Sequence, residues 1–211
     1  MQTVELFCGT KSFSKVAAHF GHSTFTLDND PRHKPDLCIN VLALEASTLP
    51  FRPDILWASP PCTTFSIASH CHHWNVDGTP KSEAALVGIK IARKTLSLIR
   101  DIAPRWWFIE NPRGMLRRMP FMQGMHRNTI TYCQYGHRIM KPTDIWTNAR
   151  WWTPRPMCSP GDPCHESTRA GERTGLQGIR GTVERSRIPR QLFLEILFQM
   201  PSTATRVDGV A

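Results

Sequence analysis

Short apolar runs, each ending at a polar or turn residue, recur along the first half of the chain. They occupy residues 4–7, 24–27, 37–39, 55–58 and 106–109, and such runs are typical of strands buried on both faces of a parallel sheet. Residues 12–20 and 83–103 instead carry apolar side chains at helical spacing, and the longer segment has one predicted apolar stripe: Leu86, Ile89, Ala92, Leu96 and Ile99. Strands separated by helical crossovers predict an α/β fold with a doubly wound, mostly parallel sheet. Its functional groups should lie at the carboxyl ends of the strands.

The pattern changes after residue 112. Residues 113–125 are predicted as helix and loop, 128–132 and 144–147 as two further strands, and 189–200 as a last helix. Residues 149–183 contain many prolines, glycines and arginines without sustained periodicity, which predicts a small, basic, loop-rich insertion. We therefore predict a main domain formed by residues 1–148 and 184–200, the insertion at 149–183, and a flexible tail at 201–211.

Charge is distributed unevenly along the 211 residues, whose formal net charge is +9. Residues 1–112 contain 11 Lys and Arg against 10 Asp and Glu, whereas residues 113–211 contain 15 against 7. A polyanion such as nucleic acid is a natural partner of this basic half, although a basic face that only confers solubility would look the same.

Seven cysteines in an intracellular protein are expected to be reduced thiols, and their odd number argues against a disulfide framework. The chain begins almost at once with a strand-like segment, which leaves no room for a signal peptide. No apolar run approaches the roughly 20 residues that span a bilayer. We predict a cytoplasmic protein without membrane contact, and a monomer.

Two polar motifs follow the first two predicted strands. In ELFCGTKSFS, residues 5–14, a strand passes through a glycine-containing turn into a helix, an arrangement that lets a nucleoside cofactor approach free backbone amides. An ordinary strand-to-helix turn would have the same sequence. Asp28, in TLDND, ends the next strand, where a carboxylate can accept both hydroxyls of a ribose or can cap a helix.

Two further motifs carry candidate reacting groups. In ASPPCTTFS, two prolines fix the approach of the chain to Cys62 at a strand end, whereas most lone cysteines are small core residues. In WWFIENPRG, an apolar strand leads to Glu110, and Asn111 and Pro112 are predicted to stop the strand. Glu110 could donate a proton in catalysis, or it could be a structural acid paired with a nearby arginine.

Histidines and cysteines are grouped in two other segments. Residues 67–81 include His70, Cys71, His72 and His73 and are predicted to form a mobile loop near Cys62. Cys158, Cys164 and His165 lie in the insertion. A zinc site is conceivable in either segment, but the spacings match no standard zinc motif. We therefore predict no metal site.

Taken in order, the motifs ELFCG, TLDND, SPPCTTFS, IENP, QYGHR and SRIP resemble those of the cytosine-5 DNA methyltransferases, especially the short phage-type members. The resemblance covers residues 3–148 and 184–199. It implies a Rossmann-like domain that binds S-adenosylmethionine, and double-stranded DNA as partner in a bacterial or phage-infected cell. It also implies methyl transfer to carbon 5 of a flipped cytosine through a covalent cysteine adduct, with the insertion reading the target sequence.

By the same resemblance, each motif assigns roles to residues. The cofactor-binding residues would be Phe7, Gly9, Asp28, Asn40 and Pro61. The catalytic residues would be the nucleophile Cys62, its partner Glu110, and Gln134 and Arg138, which would brace the cytosine. The sequence departs from the family pattern at Lys11, in place of a second turn glycine, and at Gly136, in place of a central arginine.

Three alternatives remain open at the level of sequence. The same catalytic residues would serve a cytosine-5 methyltransferase that acts on RNA. An amino-methyltransferase of DNA carries a Ser-Pro-Pro-aromatic loop that SPPC resembles, although here a cysteine follows the prolines. A catalytically silent, nucleic-acid-binding relative would keep the scaffold without needing Cys62, Glu110 and Arg138 together.

Overall fold

A computed structural model describes residues 1–166 and 182–201 of the chain. Its framework is one sheet of seven strands: β1 Gln2–Leu6, β2 Ser23–Asp28, β3 Leu37–Cys38, β4 Ile55–Ala58, β5 Trp106–Pro112, β6 Arg127–Thr131 and β7 Pro142–Thr147. All seven predicted strands are present, with ends that differ by a few residues. The largest difference is at β5, where the prediction that Asn111 and Pro112 stop the strand is wrong. Both residues pair with β7, and this pairing extends the strand.

The strands lie in the order β3-β2-β1-β4-β5-β7-β6. Strands β1 to β5 pair in parallel, and β7 lies between β5 and β6, antiparallel to both. The order in which strands are added reverses at β1, because β2 and β3 lie on one side of it and β4 and β5 on the other. The ends of β1 and β4 therefore flank the switch point of the sheet. Open α/β sheets bind ligands at this point.

Helices cover both faces of the sheet, which confirms the doubly wound, mostly parallel α/β fold. The helices are α1 Ser12–His19, α2 His70–His73, α3 Glu83–Ile102, α4 Thr182–Ser186 and α5 Arg190–Gln199. One apolar core lies under α1 and α5 and contains Phe13, Trp57 and Phe193. The other lies under α3 and contains Leu56, Phe65 and Trp74. Residues 113–125 form two short 3₁₀ turns at Met115–Arg118 and Pro120–Met122.

The buried face of α3 overlaps the predicted apolar stripe but does not coincide with it. Ala92 and Ile99 are buried as predicted, whereas Leu86 is 42% exposed. The buried face also includes the small residues Ala85 and Gly88, which were not part of the stripe. An added Cβ at Gly88 would lie 2.7 Å from Thr64 Oγ1. Close approach to the loop after β4 therefore decides which side of α3 faces inward, and small side chains permit that approach.

The predicted insertion falls only partly within the described residues. Ala149 and Trp152 are buried, and the Trp152 ring contacts Phe108 of β5 with ring centroids 6.1 Å apart. Residues 167–181 and the tail at 202–211 lie outside the described part of the chain, so the domain boundaries stay a prediction. No helix among residues 1–166 and 182–201 is long and apolar enough to cross a membrane.

Candidate active site

A cavity lies at the carboxyl ends of β1 and β2. Its wall includes Phe7, Asp28, Asn40 and Pro61, four of the five residues predicted to bind a cofactor, together with apolar side chains such as Leu27 and Ile39. The residues come from four separate segments of the chain. The cavity therefore combines an apolar wall with a few polar groups, as binding sites for small molecules usually do.

The fifth predicted residue, Gly9, shapes the turn beside this cavity. Its amide donates a hydrogen bond of 2.9 Å to Asp28 Oδ2, and Asp28 Oδ1 accepts another of 2.9 Å from the amide of Asp30. Phe7, Gly9 and Lys11 all have positive φ, at 58°, 46° and 56°. Such a tight turn is costly for residues other than glycine, and Lys11 accordingly occupies a position that would suit a second glycine.

Glu5 stabilises the start of the helix that follows this turn. It was not predicted as a site residue. Its two carboxylate oxygens accept hydrogen bonds from the first-turn amides of α1, at 3.2 Å from Phe13 and 2.9 Å from Ser14. Burial raises the pKa of Glu5 to about 7, although these hydrogen bonds oppose the shift. Asn40 has a similar local role, because its Oδ1 accepts the amide of Leu42 at 3.0 Å and caps a short 3₁₀ turn.

Cys62 is half-buried in a loop that is fixed on both sides. Asn111 Nδ2 donates a hydrogen bond of 2.9 Å to the carbonyl of Pro60, two residues before the thiol. After the thiol, Trp74 Nε1 donates to the carbonyl of Thr64 at 2.6 Å. The end of β5 and the buried Trp74 thus hold the loop. Residues 67–81, predicted as a mobile loop, contain a 3₁₀ turn and helix α2 and are anchored by Trp74.

Glu110 lies at the end of β5, next to the Cys62 loop, and is only 5% exposed. Its Oε1 accepts a hydrogen bond of 2.8 Å from the hydroxyl of Tyr132, which is fully buried. Among the described residues, this carboxylate is therefore hydrogen-bonded to a tyrosine rather than paired with an arginine. Tyr132 was not predicted as a site residue. The sequence offered one clue to it, since the chain has only two tyrosines: Tyr135 lies in the QYGHR motif, and Tyr132 lies two residues before that motif.

The charges around Cys62 act on its thiol in opposite directions. Burial and the negative charge of Glu110 raise the pKa of Cys62, whereas the ammonium of Lys141 lowers it. Lys141 is itself buried, with Nζ 4.9 Å from the centre of the Tyr132 ring and 3.1 Å from the carbonyl oxygen of Arg185. The charges of Glu110 and Lys141 thus both act on the Cys62 thiol. Because the net shift of its pKa is upward, the thiol is protonated at neutral pH when no substrate is bound.

Substitutions at the two charges should shift the alkylation profile of Cys62 in opposite directions. Because only the thiolate reacts with iodoacetamide, Glu110→Gln should move the midpoint of the rate against pH to lower pH. Lys141→Met should move it to higher pH. Peptide mass spectrometry reports the rate at Cys62, and the exposed Cys71 provides an internal control whose profile should not move. Identical profiles for all three proteins would show that these charges do not reach the thiol.

The chain is similar to known methyltransferases in sequence and in fold. No protein-family model matches it. A protein of Frog virus 3 (isolate Goorha), named for DNA (cytosine-5)-methyltransferase activity, is 28% identical over 220 residues that cover 93% of this chain and 99% of the relative. This similarity extends over nearly the full length of both proteins. In sequence, the chain is therefore similar to a protein that is named as a cytosine-5 DNA methyltransferase.

Similar folds occur among solved structures. A crystal structure named as a DNA modification methyltransferase encoded within an E. coli prophage aligns with a TM-score of 0.52 and 14% identity, over 75% of this chain and 52% of that one. The S. pombe Dnmt2 methyltransferase aligns with a TM-score of 0.45 and 12% identity, over 70% and 48%. The chain thus spans about half the length of these solved structures, and the first confirms the Rossmann-like methyltransferase fold.

Gln134 and Arg138, which were predicted to brace the cytosine, lie on the segment after β6. Arg138 is exposed and pairs with Glu166, with 3.6 Å between Nη1 and Oε2. Gln134 directs Nε2 to within 3.6 Å of the sulfur of Cys164. Neither side chain has a hydrogen bond to Cys62 or Glu110 among the described residues. Gly136 between them has φ 84°, a conformation that an arginine would adopt only with strain.

Three of the cysteines and one histidine meet near Gln134. Cys133, Cys158, Cys164 and His165 place one sulfur or nitrogen atom each within 4.8 Å of all the others. Cys158, Cys164 and His165 were considered as ligands from the sequence, whereas Cys133 was missed. It lies 25 residues before Cys158, and only the folded chain brings the two together. Residues 70–73 form no such group within the described part of the chain.

Proposed function

We propose that the protein is an S-adenosylmethionine-dependent methyltransferase that acts on carbon 5 of cytosine in double-stranded DNA. The observation that carries this proposal is the position of Cys62. Its thiol interacts with the charge of Glu110, and the residue before it, Pro61, lines the cavity at the strand ends. A nucleophile, an acid and a cavity with apolar and polar walls are thereby brought to one edge of the sheet.

The residues of the cavity fit S-adenosylmethionine. Phe7 offers an aromatic face to an adenine, and Asp28 retains lone pairs for ribose hydroxyls after accepting two backbone amides. Asn40 uses Oδ1 as a cap, so its amide NH₂ is the group available to the ligand. Pro61 lies between this cavity and Cys62, on the side where the methionine portion belongs. When bound, the cofactor supplies an electrophilic methyl group.

Cys62 provides the covalent step that carbon 5 of cytosine requires, since this carbon is a poor nucleophile in the intact ring. The thiolate adds to carbon 6, and the electron pair of the ring double bond moves so that carbon 5 becomes nucleophilic. After methyl transfer, carbon 5 loses its proton, the double bond re-forms and the sulfur of Cys62 leaves. Sulfur suits both steps, because it adds to the ring and also departs from it.

Glu110 stabilises the charge that develops on the ring. A proton donated by, or shared with, its carboxyl group at ring nitrogen 3 neutralises the negative charge produced by thiolate attack. Tyr132 fixes the orientation of this carboxyl group through a buried hydrogen bond. To share a proton with ring nitrogen 3, the Glu110 carboxyl must be protonated in the complex with the base. A neutral carboxyl would no longer raise the pKa of Cys62, so the thiolate would form more readily when substrate is present.

DNA as the substrate is supported by the name of the Frog virus 3 relative and by the excess of positive charge after residue 112. The target base must leave the duplex to reach Cys62, which costs a few kcal/mol that protein contacts recover. We propose that Gln134 and Arg138 brace the extruded cytosine, and that the segment from residue 149 onward reads the target sequence. Both roles require their side chains to turn toward the DNA.

A trapping experiment tests the proposal. Purified protein is incubated with labelled S-adenosylmethionine and a duplex that carries 5-fluorocytosine in place of cytosine. Because fluorine cannot leave carbon 5 as a proton does, the reaction should stop at the methylated adduct. We expect a protein-DNA band that survives a denaturing gel. Cys62→Ala should abolish the band, while the exposed-cysteine variant Cys71→Ser should retain it.

Other outcomes would assign a different function. Transfer of label to ordinary DNA without an adduct would indicate methylation of an amino group. Transfer to transfer RNA, but not to duplex DNA in competition, would indicate an RNA enzyme. No detectable binding of S-adenosylmethionine would indicate a silent relative that keeps the fold.

A further inference from the structure

We propose that Cys133, Cys158, Cys164 and His165 bind one structural zinc ion. The sulfur of Cys133 lies 3.0 Å from that of Cys158 and 3.6 Å from that of Cys164. His165 Nδ1 lies 3.8 Å from the sulfur of Cys158 and 3.4 Å from that of Cys164. All three cysteines are free thiols. Four potential ligand atoms thus surround one point.

Three of these four distances are close to the edges of a zinc tetrahedron, and the 3.0 Å between the sulfurs of Cys133 and Cys158 is shorter. Zinc binds sulfur at about 2.3 Å and imidazole nitrogen at about 2.0–2.1 Å, so adjacent ligand atoms in a tetrahedral site are about 3.5–3.8 Å apart. Three thiolates and one imidazole form a closed site without a position for water, which is the composition of structural zinc sites. Calcium and magnesium prefer oxygen ligands, and this set offers none.

The loop that carries three of the ligands has little else to hold it. Residues 159–166, SPGDPCHE, include no large apolar side chain that could anchor them in a core. Their backbone contacts are few: Cys158 donates its amide to Thr131 Oγ1 at 3.0 Å, and Glu166 donates its amide to the carbonyl of Arg138 at 2.8 Å. A metal ion supplies the binding energy that such a segment cannot obtain from hydrophobic burial.

One hydrogen-bond donor lies beside the cluster. Gln134 Nε2 lies 3.6 Å from the sulfur of Cys164, and a donor of this kind stabilises a metal-bound thiolate and orients it. Cys133 and Cys158 are buried, and Cys164 and His165 are half-buried. Three thiolates packed this closely would repel one another unless a cation lay between them, and zinc is the cation that this ligand set prefers.

The ion would connect the loop to the segment that follows β6. Cys133 lies between Tyr132, which holds Glu110, and Gln134. Zinc binding would therefore fix the loop at residues 158–166 against the part of the chain that carries Tyr132, Gln134 and Arg138. This consequence depends on the proposed function, whereas the presence of the ion does not.

Metal content of the full chain tests the proposal. Protein produced with zinc in the medium and purified under reducing conditions should contain about one zinc per chain by elemental mass spectrometry. After dialysis against a competing chelator, the double variant Cys158→Ser/Cys164→Ser should retain at least about tenfold less zinc than the wild type. The matched control Cys38→Ser/Cys71→Ser, at two exposed cysteines, should retain as much as the wild type.

Cobalt provides a measurement on the unmodified chain, in case the double variant does not fold. Replacing zinc by Co²⁺ should produce the visible absorption of a tetrahedral cobalt thiolate, and added zinc should remove it. Wild-type protein that neither contains zinc nor shows this spectrum after reconstitution would overturn the proposal. So would an intact mass two hydrogens lower without reductant than with it, which would reveal a disulfide in the cluster. If the protein contained zinc but transferred no methyl group, the proposed function would be rejected and the zinc site would stand.

Discussion

Gly114→Ala should reduce methyl transfer by about 100-fold or more, because misplacement of a reacting group by about 1 Å has effects of this size. A Cβ at this position would lie 2.0 Å from the carbonyl oxygen of Phe65. That oxygen already accepts the amide of Met115 at 2.7 Å, and the amide of Phe65 donates to the carbonyl of Cys62 at 3.1 Å. A backbone shift at Phe65 would therefore move Cys62. Methylation rates with saturating DNA and cofactor measure the effect.

Gly88→Ala is the matched comparison, since it adds the same methyl group on the opposite side of the loop. Its Cβ would meet the side-chain oxygen of Thr64 at 2.7 Å and the Phe65 ring at 3.3 Å, and side chains can rotate where backbone cannot. The loss should be less than about tenfold, and Thr64→Ala in the same chain should restore part of it. Wild-type activity in Gly114→Ala would show that contact with Gly114 does not position Cys62.

Asp144→Ala should lower the free energy of unfolding by about 3–5 kcal/mol, since removing one partner of a buried ion pair leaves the other charge uncompensated. Asp144 is fully buried in β7 and holds Arg117 through two hydrogen bonds, one of them 2.8 Å long. Thr129 Oγ1 donates to the same carboxylate at 2.8 Å. Because domains are stable by only about 5–15 kcal/mol, urea unfolding should show a much lower midpoint.

Asp101→Ala provides the control for this loss. Asp101 pairs with Arg100 on the exposed surface of α3, at 3.3 Å, and exposed pairs contribute about 0–1 kcal/mol. Its unfolding midpoint should stay near that of the wild type. If Asp144→Ala lost no more stability than Asp101→Ala, Arg117 would have to find another partner or reach water. The ion pair would then not be needed to hold β7 between β5 and β6.

The sequence alone was sufficient to predict the strands of the sheet and the order of the motifs. Each strand of the sheet is a short apolar run that must be buried, so its position can be read from local pattern. The predicted cofactor residues follow strands β1 to β4, and parallel strands bring their carboxyl ends to one edge. Phe7, Asp28, Asn40 and Pro61 accordingly share one cavity. Local sequence placed Cys62 and Glu110 at the ends of adjacent strands for the same reason.

Tertiary structure alone decided the contacts between distant segments. Strand β7 lies between β5 and β6, and this places Tyr132 against Glu110 and Lys141 near Cys62. Cys133 meets Cys158, Cys164 and His165 only through folding of the chain between them. The apolar stripe of α3 is buried at Ala92 and Ile99 but not at Leu86, and Gly88 instead faces the loop after β4. A local sequence pattern specifies which residues are buried or polar. It does not specify the contact partners of a side chain, because these partners are separated from it by long stretches of sequence.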